Sequence, residues 1–372
     1  MAAFVRRRMV PRLPPPRVER GLIAWLRWRL FATPLQAALT LVSLAVLITV
    51  LWPAIRFLVV DAVWQGDTRE ACLGATGACW PFVKAKFGQL IYGFYPAAER
   101  WRPDLVFALG AILLAPLLVP AAPLKGLNAV LFFAVYPVLS FILLVGGSFG
   151  LEHVETRRWG GLLITLVVAF TGIIASLPLG ILLALGRRSE LPVVRWLAVA
   201  FIEFWRGVPL ITVLFFATYM LPLFLPAGVS FDALLRVLVG VALFSAAYMA
   251  EVVRGGLQAI PRSQYEGGYA LGLPYWQVMG FIVLPQALTR VIPGIVNNFI
   301  GLFKDTTLVL IVAIFDLLGQ LRAAFSDPAW ATPTTLYTGF AFAGMIYFVF
   351  CFAMSRYSLF VERRLGVSAE RV

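Results

Sequence analysis

A single histidine, three cysteines and a charged fraction of 13% in 372 residues exclude much before any motif is sought. His153 stands alone, with no cysteine or carboxylate cluster at ligand spacing, so no metal site is expected. The chain contains no Gly-Lys pair, hence no G-x-x-x-x-G-K-S/T loop to cradle a nucleotide's phosphates. No G-x-S-x-G or comparable nucleophile arrangement occurs either, and no catalytic residue or bound cofactor is expected. If the work of this chain consumes chemical energy, another chain supplies it.

What is present is apolar. Hydrophobic residues make up 61% of the chain and aromatics 14%, with a mean hydropathy of +0.89. A soluble domain of this length cannot hide that much apolar surface, so the natural solvent is lipid. The net charge of +13 could speak for nucleic acid, but the basic residues punctuate apolar runs instead of covering one face. No nucleic-acid partner is expected. Runs long enough to span a bilayer fall at about 36–60, 104–122, 127–148, 160–186, 207–226, 233–253, 289–318 and 335–356. All must be helices, because an open sheet in lipid leaves backbone groups unpaired.

Orientation follows from charge. Arg6, Arg7, Arg8, Arg12, Arg17, Arg20, Arg27 and Arg29 place the tail, residues 1–30, on the cytoplasmic side. With about eight spans the C-terminus lies on that side too. The one long outside loop, roughly 61–103, holds Cys72 and Cys79. They are either a small disulfide loop or two unpaired thiols. Residues 31–150 carry few intramembrane polar groups and read as an accessory region of three spans; 151–372 reads as the working core.

Three stretches in the core carry chemistry. The first is the loop 262–288, between the sixth and seventh spans. Glu266, Gly272, Ile282, Leu284 and Pro285 give the spacing E-x5-G-x9-I-x-L-P. This predicts a helix bearing Glu266, a turn at Gly272–Pro274 and a second amphipathic helix leading to Pro285. Such a hairpin is either a knob offered to another protein or an ordinary re-entrant connection. Second, Glu203-x-x-Arg206-Gly207 and Glu251-x-x-Arg254 each set opposite charges on one helix face near an inner membrane end. They either pin helix ends or take part in gating. Third, Asn297, Asn298, Lys304, Asp305 and Thr306 lie in the seventh span, with Gly301 between them. Seven residues are almost two helical turns, so Asn297 stacks under Lys304 and Asn298 under Asp305. They form either a buried network between helices or the lining for a zwitterionic solute, with Ser245 and Tyr248 opposite.

The loop resembles the coupling loop of ABC-importer permeases, in which E-A-A-x3-G-x9-I-x-L-P docks on an ATPase subunit. Every anchor matches except the two alanines, here Gly267 and Gly268; each glycine costs a helix about 1 kcal/mol, and a softer helix is expected. "IEFWRGVPL" (202–210), "AAYMAEVVRGGLQAIPRSQ" (246–264), "LPQAL" (284–288) and "PGIVNNFIGLFKDTTLV" (293–309) further resemble the polar amino acid permeases, the histidine/glutamine/arginine/opine group. The three extra spans and the cysteine-containing loop are similar to the M-type permease of general L-amino acid transporters. The resemblance implies an all-α membrane protein with a five-helix type I ABC-importer permease core in the bacterial inner membrane. It implies an ATP-binding subunit dimer that holds ATP and Mg, a homologous second permease forming a heterodimer, and a periplasmic amino-acid-binding protein. An ion-coupled secondary carrier is the alternative; it would use Lys304 and Asp305 as a coupling site.

Overall fold

The computed structural model describes residues 21–365 except 120 and 227, with the backbone alone for 22–24. The tail arginines Arg6 to Arg20 and the C-terminal residues after 365 lie outside the described residues. The described residues form helices and their connections, with no β-strand among them. In order these are α1 (Leu22–Leu30), α2 (Pro34–Val60), α3 (Trp80–Tyr92), α4 (Ala97–Leu118), α5 (Lys125–Val145) and α6 (Gly161–Arg187). Then come α7 (Pro192–Gly207), α8 (Leu210–Phe224), α9 (Ala233–Gln258), α10 (Arg262–Ala270) and α11 (275–290). Last are α12 (Ile292–Val312), α13 (Leu317–Phe325) and α14 (Thr335–Arg364). Seven of them are long and apolar enough to cross a membrane, and α7 with α8, bent by 100°, passes the same test as a pair: a broken span or a re-entrant loop. The end that carries α10 and α11 is called inner below.

The helix boundaries have local causes. The Thr33 hydroxyl accepts from the Gln36 amide and Pro34 occupies the first turn, which starts α2. Asp232 accepts from the Leu235 amide at the start of α9. The span expected over 207–226 instead begins at Leu210, and α7 turns away from it by 100°. The residue before a proline is driven to extended backbone, and Val208 adopts φ −106°, ψ 134° ahead of Pro209. The span expected over 289–318 is shorter as well. It tightens to 3-10 geometry from Thr306 and stops where Ala313 takes φ 60°. Asp316 then caps a separate helix, α13, by accepting from the Gly319 amide at 2.8 Å.

Packing sorts the helices into three apolar clusters. One joins α4 and α5 to α6, α8, α9 and α12, with Phe170 edge-on to Phe132 and Tyr136. A second seats α3 and the disulfide loop against α13 and α14. A third gathers the inner ends of α6 and α9 with α11 and the start of α12. Small residues let α6 approach α9: a Cβ on Gly180 would lie 2.7 Å from Met249. Close packing of this kind holds helices together in lipid, where apolar burial between them gains little. By contrast α2 buries no residue, and it meets α14 near its end, where Phe57 lies against Tyr337.

Candidate functional site

Helix α10 ends in a glycine-dependent cap. The Gly272 amide bonds to the Tyr269 carbonyl at 2.9 Å and the Leu273 amide to the Gly268 carbonyl at 3.3 Å. Gly272 holds φ +74°, which a residue with a Cβ adopts only with strain. The chain then reverses into α11. Here the structure corrects the expected stop at Pro285: the helix continues through it to Arg290. A wide π turn over Val278–Val283 precedes the proline, which sits in the first turn of the next segment. There the missing N–H and the ring are accommodated.

The two glycines that replace the alanines differ. Gly267 is exposed, with open space where a Cβ would be. Gly268 is buried, and a Cβ there would lie 2.9 Å from Val278 and 3.1 Å from Ile282. Gly268 therefore packs α10 against α11, whereas Gly267 makes no such contact. Gln286 fastens the pair by donating to the Gln264 side chain and to the Ile282 carbonyl. Leu284 is partly buried in the inner cluster, and Glu266 is exposed. Leu271 (78% exposed) and Trp276 (72%) at the tip, and Phe281 (76%) farther along α11, are exposed apolar side chains. The hairpin is also latched to the spans: Arg188 donates to the Tyr265 hydroxyl and the Leu257 carbonyl, and Arg290 to the Ala259 carbonyl.

The two Glu/Arg repeats meet at the inner end of the bundle. Arg187, at the end of α6, bonds both Glu203 of α7 (2.8 Å) and Glu251 of α9 (2.9 Å). Arg254 pairs with Glu251 at 2.8 Å, and Arg206 lies within 3.8 Å of both glutamates. Glu251 is the hub, at 17% side-chain exposure against 53% for Glu203. Tyr248 belongs here as well, with the Arg206 guanidinium 5.9 Å above its ring. Gly207 closes α7, with open space around it.

Asn297, Lys304 and Asp305 are exposed along α12, and Gly301 between them faces open space. Asn298 is half-buried. Among the described residues these four side chains make no hydrogen bond or ion pair, so they do not form a buried network within this chain. Thr306 and Ser245 do not join the stripe. Both are buried, and the Thr306 hydroxyl donates to the Phe303 carbonyl.

Sequence reasoning missed Arg187, Arg188 and Asp316. The arginine pair looked like an ordinary inner-end charge, since its partners lie 16 to 77 positions away. Asp316 is fully buried and bonded by the Tyr347 hydroxyl at 3.1 Å. Burial pushes its carboxyl above the ordinary aspartate range, opposed by the Gly319 and Leu318 amides. A lone acid after an apolar run was the only signal.

An exposed hairpin latched to a bundle of helices long and apolar enough to cross a membrane is the architecture of a multi-span membrane protein. The family described as binding-protein-dependent transport system inner membrane component matches residues 176–367. The inner membrane amino-acid ABC transporter permease protein YhdY of Escherichia coli K12 is 49% identical over 344 residues, 92% of this chain and 93% of that protein. The glutamate/glutamine/aspartate/asparagine transport system permease protein BztC of Rhodobacter capsulatus is 40% identical over 431 residues, 98% of each. A solved amino acid ABC transporter with histidines aligns at 28% identity over 55% of this chain and 92% of that one, with a TM-score of 0.49. The chain belongs to the family of binding-protein-dependent inner membrane transport components, the permeases of ABC importers. Membership sets aside the ion-coupled carrier.

Proposed function

We propose that this chain is one permease of an ATP-driven importer of amino acids, with N- and C-termini in the cytoplasm. The observation that carries the reading is continuity between hairpin and path. Helix α11 runs to Arg290, and after one irregular residue α12 carries the polar stripe onward. A push on the tip at Leu271 and Trp276 is thus delivered to Lys304 and Asp305, and through Arg188 to α6 and α9. Two ATPase subunits hold ATP and Mg and close on each other. Their closure moves Glu266 and its neighbours, and the bundle shifts between inward- and outward-open packings. The cluster around Glu251 holds α6, α7 and α9 together at the inner end during that shift.

The stripe supports a zwitterionic cargo, since Lys304 offers a donor to a carboxylate and Asp305 an acceptor to an ammonium. Exposed charges at membrane depth call for a water-filled cavity or a covering protein, which supports a homologous second permease closing the path. A binding protein outside delivers the amino acid, and a broad range of L-amino acids is the cargo we propose; the relatives' names support amino acids as the class. The test is uptake of radiolabelled L-amino acids into vesicles containing the assembled transporter. Uptake that requires ATP and proceeds without any ion gradient is expected; uptake driven by an ion gradient alone overturns the proposal.

A further inference from the structure

The residues between α2 and α4 precede the part of the chain that the family model matches and have no role in the reading above. They cross the outer face of the core from one side to the other. In the last turn of α2, Phe57 packs edge-on against Tyr337 of α14, and the Trp80 indole donates to the Leu58 carbonyl. The Cys72–Cys79 disulfide closes the next turn, and the Cys79 amide donates to Thr338 of α14 at 2.8 Å. Helix α3 then runs over α13: Phe82 stacks on Phe325, Lys86 pairs with Asp327, and Gln89 donates to Gln320 at 3.1 Å. At the far side Gly93 pairs with Trp159, ahead of α6, and a Cβ on Gly161 would lie 2.1 Å from the Leu90 carbonyl. The contacts mix aromatic packing with hydrogen bonds, from the buried Cys79–Thr338 bond to the partly exposed Lys86–Asp327 pair, and they engage three separate core elements.

We infer that residues 61–96 are a strap that fastens the outer ends of α6 and α14 and helix α13 into one rigid body, so that these ends move together when the transport path opens. The inference rests on the importer reading and adds to it a division of labour: movement occurs around this body and not inside it. Tightly packed contacts with fixed hydrogen bonds shift as units, because packed interfaces do not deform continuously. The Lys86 ammonium holds the Asp327 carboxyl below the ordinary aspartate range. Their bond is therefore complete above the ordinary aspartate value and is lost only as pH falls through the lowered one, so it persists near neutrality.

The test replaces the ion pair with a covalent link. Lys86→Cys and Asp327→Cys are introduced with Cys351→Ser, leaving the Cys72–Cys79 disulfide intact, and the assembled transporter is reconstituted. Amino acid uptake and ATP hydrolysis are measured before and after linking with a short bismaleimide. Without the link, uptake per ATP is expected to fall several-fold; with it, uptake per ATP returns to the parent level. A link that stops uptake, or an unlinked variant as well coupled as the parent, overturns the strap. ATP-driven uptake by the parent protein tests the importer reading separately.

Discussion

Glu251→Gln is expected to lower the stability of the folded protein by about 2 kcal/mol and to abolish uptake. The size follows from the geometry. One carboxylate, largely shielded from water, holds Arg187 and Arg254 at 2.8 to 2.9 Å and faces Arg206 at 3.7 Å. Removing its charge leaves three guanidinium groups around one exposed partner, Glu203, so like-charge repulsion adds to the lost bonds. Glu203→Gln removes an acid that is 53% exposed and already screened, and should cost well under half as much. Thermal unfolding of the purified protein in one detergent checks both. Equal losses for the two substitutions would mean that Glu251 is not the hub.

Lys304→Met and Asp305→Asn are expected to behave in the opposite way. Neither side chain is bonded among the described residues and both are exposed, so melting temperatures should hold or rise slightly. Uptake should nevertheless drop by tenfold or more, about 1.4 kcal/mol of lost interaction with the moving solute for each tenfold. ATP hydrolysis by the assembled complex should persist, because the hairpin is untouched. A variant that keeps full uptake would remove its residue from the path. One that unfolds would instead give it a structural role, through contacts made in the assembly.

The helices were legible because lipid demands long apolar runs, and the hairpin because its anchors sit at fixed distances from a glycine that needs φ +74°. What escaped depended on residues far apart in the chain. Val208–Pro209 was available to predict the bend between α7 and α8, yet only packing decides whether the helix before it lies across the bundle or continues the span. The Glu203 and Glu251 motifs were visible singly, but not that Arg206 would reach Glu251 or that Arg187 on a third helix would bond both glutamates. The different surroundings of Gly267 and Gly268 were not legible, since spacing alone cannot tell an open position from one pressed against Val278 and Ile282. Asp316 had no motif at all: its importance comes from Tyr347, delivered 31 positions later by α14.

The central claim is that the hairpin α10–α11 is the plug into an ATPase, and one measurement addresses it directly. A cysteine at Gly272 would have to adopt φ +74°, so the probe belongs at Leu271, exposed at the tip. Leu271→Cys is made with Cys351→Ser, keeping the bonded Cys72 and Cys79, and co-expressed with the ATPase subunit. Crosslinking to that subunit with a yield that changes on adding ATP is the expected result. No crosslink in a complex that still takes up amino acids, or a yield indifferent to ATP, would contradict it.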